Sequence, residues 1–136
     1  IENKKLDSYH DEVKVFEVYK NDNFYALLYT DFFPRSGKRS GSWMTSYRSQ
    51  KKDQRPHISI VCNFSRPTVT QPSLLTFQEV TTLFHEFGHA LHGILANTNY
   101  NGLSGTNVYW DFVELPSQIM ENWCYEPEAL KLFAKH

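Results

Sequence analysis

The stretch Thr76-Phe77-Gln78-Glu79-Val80-Thr81-Thr82-Leu83-Phe84-His85-Glu86-Phe87-Gly88-His89-Ala90-Leu91-His92-Gly93-Ile94-Leu95 decides how this chain is read. Phe77, Val80, Phe84, Phe87, Leu91 and Leu95 recur at steps of three and four, the period of an amphipathic helix. Thr76 and Glu79 have the spacing of a capping box, which starts the helix at Thr76. Inside it lies His85-Glu86-Phe87-Gly88-His89, an H-E-x-x-H string. Residues four apart share one helical face, so the two imidazoles can point at one ion. Neutral imidazole is a zinc ligand at about 2.0–2.1 Å. Glu86, one step round the helix, is close to such an ion without stacking on the pair, where a general base takes a proton from an activated water. With six His and nine Glu in 136 residues, chance yields about 0.02 matches to this pattern.

A catalytic zinc site has three protein ligands and one open position. A metzincin continuation needs Gly at 92 and His at 95, and the chain has His92 and Leu95. His92 shares the face of the pair but lies too far along a straight helix to complete a tetrahedron, so it reads as a supporting or structural histidine. Carboxylates from a second helix beginning near Asp111 remain. Glu114, 25 residues after His89, is the first candidate and Glu121, two turns on, its rival. Glu121 otherwise serves as acceptor for an imidazole N–H, a role open to Gln118 as well. Gly102, Gly105 and the intervening asparagines let the chain reverse between the helices. Two imidazoles and one carboxylate on two antiparallel helices form a thermolysin-type ligand set.

Upstream the period is two rather than three and a half. Residues 13–19 and 24–33 read as strands of a hairpin turned at Asn21-Asp22-Asn23. Residues 34–42 read as a mobile basic loop, 43–47 as a short strand, and 57–64 as the clearest strand. The second helix carries Phe112, Leu115, Ile119 and Trp123, with a kink or restart at Pro127. The fold class expected is α+β in a single unit spanning 1–136: a small sheet region (13–64), then two metal-binding helices of zincin-like layout (76–136). With 40% hydrophobic residues the chain can bury one core. A net charge of −1 gives no case for nucleic acid or an anionic membrane as partner. Cys62 and Cys124 read as free buried thiols, and no apolar run is long enough to cross a bilayer. A start without Met and an end inside a helical pattern lead us to expect a piece of a longer, cytoplasmic protein.

Phe84-His85-Glu86-Phe87-Gly88-His89-Ala90-Leu91-His92 resembles the signature of the thimet-oligopeptidase family of zinc peptidases, which includes bacterial peptidyl-dipeptidases and oligopeptidase A. The likeness extends to Ser104-Gly105-Thr106, to Asp111-Phe112-Val113-Glu114-Leu115-Pro116-Ser117-Gln118, and to Glu121-Asn122-Trp123. Upstream, Gly37-Lys38-Arg39-Ser40-Gly41-Ser42-Trp43-Met44 is similar to a further family segment, so most of the chain from about residue 30 takes part. The resemblance implies that His85, His89 and Glu114 hold one Zn²⁺ per chain, with Glu86 as the base. It implies a larger, mostly helical, two-lobed body around a channel admitting short peptides, with this chain as the centre of the catalytic lobe. The rest of that catalytic domain is then its partner. A substrate-binding His and Tyr residues that the family places after the second helix are not in this sequence, and the isolated chain is expected to need them for turnover.

Extended substrate is expected to pair along the strand at 57–64 if that strand is a sheet edge; the run Ile58, Ile60, Val61 fits a buried central strand nearly as well. The loop holding Gly102, Ser104, Gly105 and Thr106 reads equally as a cover for substrate or as a plain connector between helices. The basic residues 35–39 read as an attractor for a peptide carboxylate or, as most such loops are, as solvated surface. Leu103-Ser104-Gly105-Thr106-Asn107 leans towards a peptidyl-dipeptidase. Glu114-Leu115-Pro116 and Glu126-Pro127-Glu128-Ala129-Leu130 look equally like an oligopeptidase A-type endopeptidase. The alternative of another class is a non-catalytic zinc-binding helical module. Glu86 argues against it, because a structural site closes with four ligands and has no use for a base.

Overall fold

Asn21 and Asp22 take φ of +50° and +63°, left-handed conformations that Asn and Asp tolerate. They turn strand β1 (Lys14–Lys20) tightly into β2 (Asn23–Asp31), with Lys20 opposite Asn23. The computed structural model describes residues 1–134; positions 135–136, at the end of the expected helical region, lie outside them. Strands β3 (Trp43–Arg48) and β4 (His57–Val61) complete a sheet of order β1-β2-β4-β3. Helix α1 (Phe77–Ile94) follows, then α2 (Trp110–Val113), α3 (Leu115–Asn122) and α4 (Pro127–Phe133), with short 3₁₀ turns at Asn101–Leu103 and Trp123–Tyr125. The class is α+β.

The strand read as a candidate edge is not one. β4 runs parallel to β2 on one side and antiparallel to β3 on the other. Beyond Val61 the amides of Cys62 and Phe64 still bond to Asp31 and Phe32. Ile58, Ser59, Ile60 and Val61 are all buried, as a continuous apolar run is when both sheet faces are covered. On β1 the outer side is bridged by residues 1–3. Among the described residues β3 has β4 as its one sheet neighbour, so the open edge belongs to β3.

Ala26, Leu28, Ile58, Ile60, Cys62 and Phe64 from the sheet pack against Ala90 and Ile94 of α1. The capping box forms: the Glu79 amide donates to Thr76 Oγ1 at 3.3 Å, and the Thr76 amide donates to Glu79 Oε2 at 2.7 Å. At the other end Arg55 donates to the Ile94, Ala96 and Tyr25 carbonyls at 2.6, 3.2 and 2.8 Å. That fastens the C-terminus of α1 to the sheet, where a cation also suits the helix dipole.

The basic loop is not a solvated attractor. Asp31, buried at the end of β2, receives Arg35 Nη1 at 2.7 Å and Lys38 Nζ at 2.9 Å. The Lys38 side chain is 4% exposed and also reaches the carbonyls of Asp31, Phe33 and Cys62. Two of the loop's cations therefore neutralise one internal carboxylate. Burial alone would raise the Asp31 carboxyl, but hydrogen bonds from Arg35, Lys38 and Tyr9 outweigh it and hold it at about 2.

The second helix is broken where one continuous piece was expected up to Pro127. Glu114 ends α2 and begins α3; Pro116, lacking an amide hydrogen, stands in the first turn of α3, and Pro127 opens α4. Phe112, Leu115, Ile119 and Trp123 point outward and Ser117 is the residue buried. The cause is close approach: a Cβ on Gly88 of α1 would sit 2.5 Å from Ser117 Cα and 2.6 Å from Pro116 O. Only small residues fit that crossing, so the bulky ones face elsewhere. Cys62 and Cys124 are free and buried, as read from the sequence. Among the described residues no helix is long and apolar enough to cross a membrane.

Candidate metal centre

His85 and His89 project from one face of α1, ring centroids 4.8 Å apart. From the α2–α3 junction, Glu114 Oε2 lies 3.2 Å from His85 Nε2 and 3.1 Å from His89 Nε2. One ligand atom from each of the three lies within 4.8 Å of the others. Tetrahedral bonds of about 2.0–2.1 Å place neighbouring donors about 3.3 Å apart, and the two spacings from Glu114 to the imidazoles match edges of such a polyhedron. The charge states suit an ion as well. Burial pushes His89 below its ordinary value, towards neutral imidazole. A hydrogen bond from Ser117, reinforced by His89 and His85 against some desolvation, keeps Glu114 below the usual carboxylate range. The donor set fits a zinc-like divalent ion.

Two further side chains orient His85 and Glu114. Glu121 Oε1 is 2.5 Å from His85 Nδ1, on the side of the ring away from Glu114. A proton shared there leaves the Nε2 lone pair facing the centre. Glu121 thus meets His85 at Nδ1, while Glu114 meets it at Nε2. Ser117 Oγ donates to Glu114 Oε2 at 2.7 Å and to its carbonyl at 2.9 Å. Ser117 and Gly88 were not singled out from the sequence. The one signal was a hydroxyl three residues after a candidate carboxylate, because apolar periodicity does not register small residues.

Glu86 is 7% exposed. Burial raises its carboxyl above the ordinary range and Glu114 adds to this, against the pull of His85 and a backbone hydrogen bond from Met44. It borders a cavity of about 450 Å³ together with His85, Glu121, Gly41 and Ser42.

The other expected site residues are placed as follows. His92 is half-buried with its ring edge on Phe112, 6.1 Å between centroids. Gln118 is exposed, and among the described residues its side chain bonds to neither imidazole. Ser104, Gly105 and Thr106 line a cavity of about 260 Å³ beside Met44, Thr45 and Ser46 of β3. Gly102 stands clear: a Cβ built on it would meet nothing within 4 Å outside its chain neighbours.

Fold and site together define a helix-borne cluster of two imidazoles and one carboxylate that could hold a metal, with a buried glutamate beside it. The chain belongs to peptidase family M3, a family of metallopeptidases, whose family model matches residues 1–136. It is similar to Oligopeptidase A of Escherichia coli (strain K12), 45% identical over 142 residues that cover 99% of this chain and 21% of that protein. Dipeptidyl carboxypeptidase of Salmonella typhimurium is 45% identical over 139 residues, 100% of this chain and 20% of that one. Thimet-like oligopeptidase of Dictyostelium discoideum is 43% identical over 130 residues, 90% and 19% respectively. The chain thus spans about a fifth of the length of the curated relatives it matches.

Proposed function

We propose that the protein is a zinc metallopeptidase acting on short peptides, with His85, His89 and Glu114 as ligands and Glu86 as general base. The convergence of three donor atoms beside a buried carboxylate carries this reading. His85, His89 and Glu114 would hold the zinc, which when bound would supply Lewis acidity towards the peptide carbonyl and the attacking water. Glu121 and Ser117 hold His85 and Glu114 in register. As the water oxygen bonds to the carbonyl carbon, Glu86 accepts the proton released. It returns that proton to the amide nitrogen as the C–N bond breaks, giving a new carboxyl and a free amine. Its raised proton affinity favours the acceptance.

The free edge of β3 is the place for extended substrate, through backbone pairing of the strand-addition kind. This edge replaces β4 in that role: β3 borders the cavity beside residues 104–106, and Gly41 and Ser42, just before β3, border the Glu86 cavity. The finer reading is release of C-terminal dipeptides, supported by the resemblance of Leu103-Ser104-Gly105-Thr106-Asn107. Relatives named for either activity are equally similar, so the products decide: amidating a peptide's C-terminus abolishes dipeptide release but leaves internal cutting.

Metal analysis of the purified protein should give about one zinc per chain, lost in Glu114→Ala. Glu86→Gln should keep the zinc and lower cleavage by about 10²–10⁴-fold. Cleavage unchanged in that variant removes Glu86 as base and leaves a non-catalytic zinc module. Folded protein without zinc removes the centre itself.

A further inference from the structure

Gln50, in the segment after β3, is 1% exposed, and its amide is committed across the chain. Its Oε1 accepts from Thr98 N at 2.8 Å, Thr98 Oγ1 at 3.1 Å and Ser104 Oγ at 3.3 Å. Its Nε2 donates to the Thr98 carbonyl at 3.1 Å and to the Lys52 carbonyl at 3.4 Å. The Lys52 amide donates to the same Thr98 carbonyl at 2.7 Å. Lys52 holds φ at +40°, a conformation that costs energy for a residue with a Cβ. Apart from that local Lys52 contact, all of these bonds go to the loop that follows α1, and none to the sheet or to the metal ligands.

That loop forms one wall of the cavity beside β3. Ser104, Gly105, Thr106 and Asn107 stand on one side, with Met44, Thr45 and Ser46 on the other. The wall is also seated from below. Gly105 has φ +57°, and a Cβ there would lie 2.9 Å from Gly93 Cα, so the loop rests directly on α1. Seat and clamp together fix the distance from residues 104–107 to the open edge of β3. The Ser104 hydroxyl is engaged by Gln50 and is not free for a ligand.

We infer that Gln50 is a positioning residue for peptide binding, fixing residues 104–107 opposite the free edge of β3 and so setting the width of the cleft for extended substrate. This rests on the peptidase reading above.

The test uses the full-length, zinc-loaded protein with Gln50→Ala, Ser104→Ala and the double variant. Kinetics on a panel of peptides and backbone deuterium exchange are both measured. Gln50→Ala should raise KM about tenfold with kcat held within about twofold. Exchange should rise at Thr98 and residues 104–107 while α1 is unaffected. Ser104→Ala should show a smaller effect in the same direction, and the double variant should be no worse than Gln50→Ala, because the two groups act as one unit.

Unchanged exchange and KM in folded Gln50→Ala overturn the inference, as does a fall in kcat at constant KM. Additive losses in the double variant overturn it by placing Ser104 on the substrate. Should Gln50→Ala fail to fold, Ser104→Ala, which deletes a single bond, decides by the same exchange and KM readout. Exchange does not depend on turnover. Loop protection lost in a protein whose wild type cleaves no peptide would support the clamp and overturn the peptidase reading.

Discussion

Replacing Gly88 by Ala should weaken metal binding without touching a ligand. The added Cβ would meet Ser117 Cα at 2.5 Å and the Pro116 carbonyl at 2.6 Å. Both are backbone groups, so no side chain can rotate away. Ordinary contact begins near 3.4 Å, so relieving the clash moves α1 and α3 about 0.9 Å apart where they cross. Glu114 lies two residues before Pro116 and must follow α3, whereas His85 and His89 stay with α1. Metal–ligand distances tolerate about 0.2 Å, so the shift exceeds the tolerance several-fold. We expect zinc affinity to fall by about 10–100-fold, the range seen when supporting contacts are lost. Overpacking should cost the metal-free fold about 1–3 kcal/mol. Competition against a chromophoric chelator measures the first and thermal unfolding the second. Gly102→Ala is the control: nothing lies within 4 Å of its added Cβ, and the change should stay within about 0.5 kcal/mol. Zinc affinity in Gly88→Ala within about twofold of wild type, in a folded protein, would refute the argument that this crossing sets the ligand geometry.

Other outcomes follow from the same contacts. Ser117→Ala removes the 2.7 Å bond to Glu114 Oε2 and should cost about tenfold in zinc affinity by the same competition; equal affinity would show that Glu114 positions itself. Asp31 sits at about 2 against an ordinary 3.8. Because its folded value is depressed, its contribution of about 2 kcal/mol is complete above about pH 4 and is lost as pH falls towards 2. Chemical denaturation across that window should show the loss in the native chain and a flatter course in Asp31→Asn; an identical slope in both assigns the acid sensitivity to other groups.

Features with a local cause were legible in the sequence. The Asn21-Asp22 turn and the Thr76–Glu79 box need only neighbouring residues, and both are present as read. The three donors were legible because α1 fixes the spacing of the His pair and the 25-residue interval allows a return to it. Long-range choices were not. The run at 57–64 is apolar enough for an edge or a central strand, and only pairing with both β2 and β3 decides. Along the second helix, the period of Phe112, Leu115, Ile119 and Trp123 marks an apolar face without saying what it faces. The inner contact is made by Gly88 and Ser117, which a hydrophobic pattern does not register. Arg35 and Lys38 read as solvated because the carboxylate they serve lies four and seven residues upstream, at the end of a strand.

The seclusion of Lys38 gives the molecule a built-in reporter. Its amine is enclosed by one carboxylate and three carbonyls, more acceptors than an ammonium has protons, and with the side chain 4% exposed a reagent has no path to it. An acylating reagent therefore modifies Lys38 only when the corner formed by the end of β2, the following loop and the end of β4 has come apart. The labelling rate of this one amine, read by peptide mass mapping, counts those openings in the native protein, and exposed amines such as that of Lys14 serve as the clock.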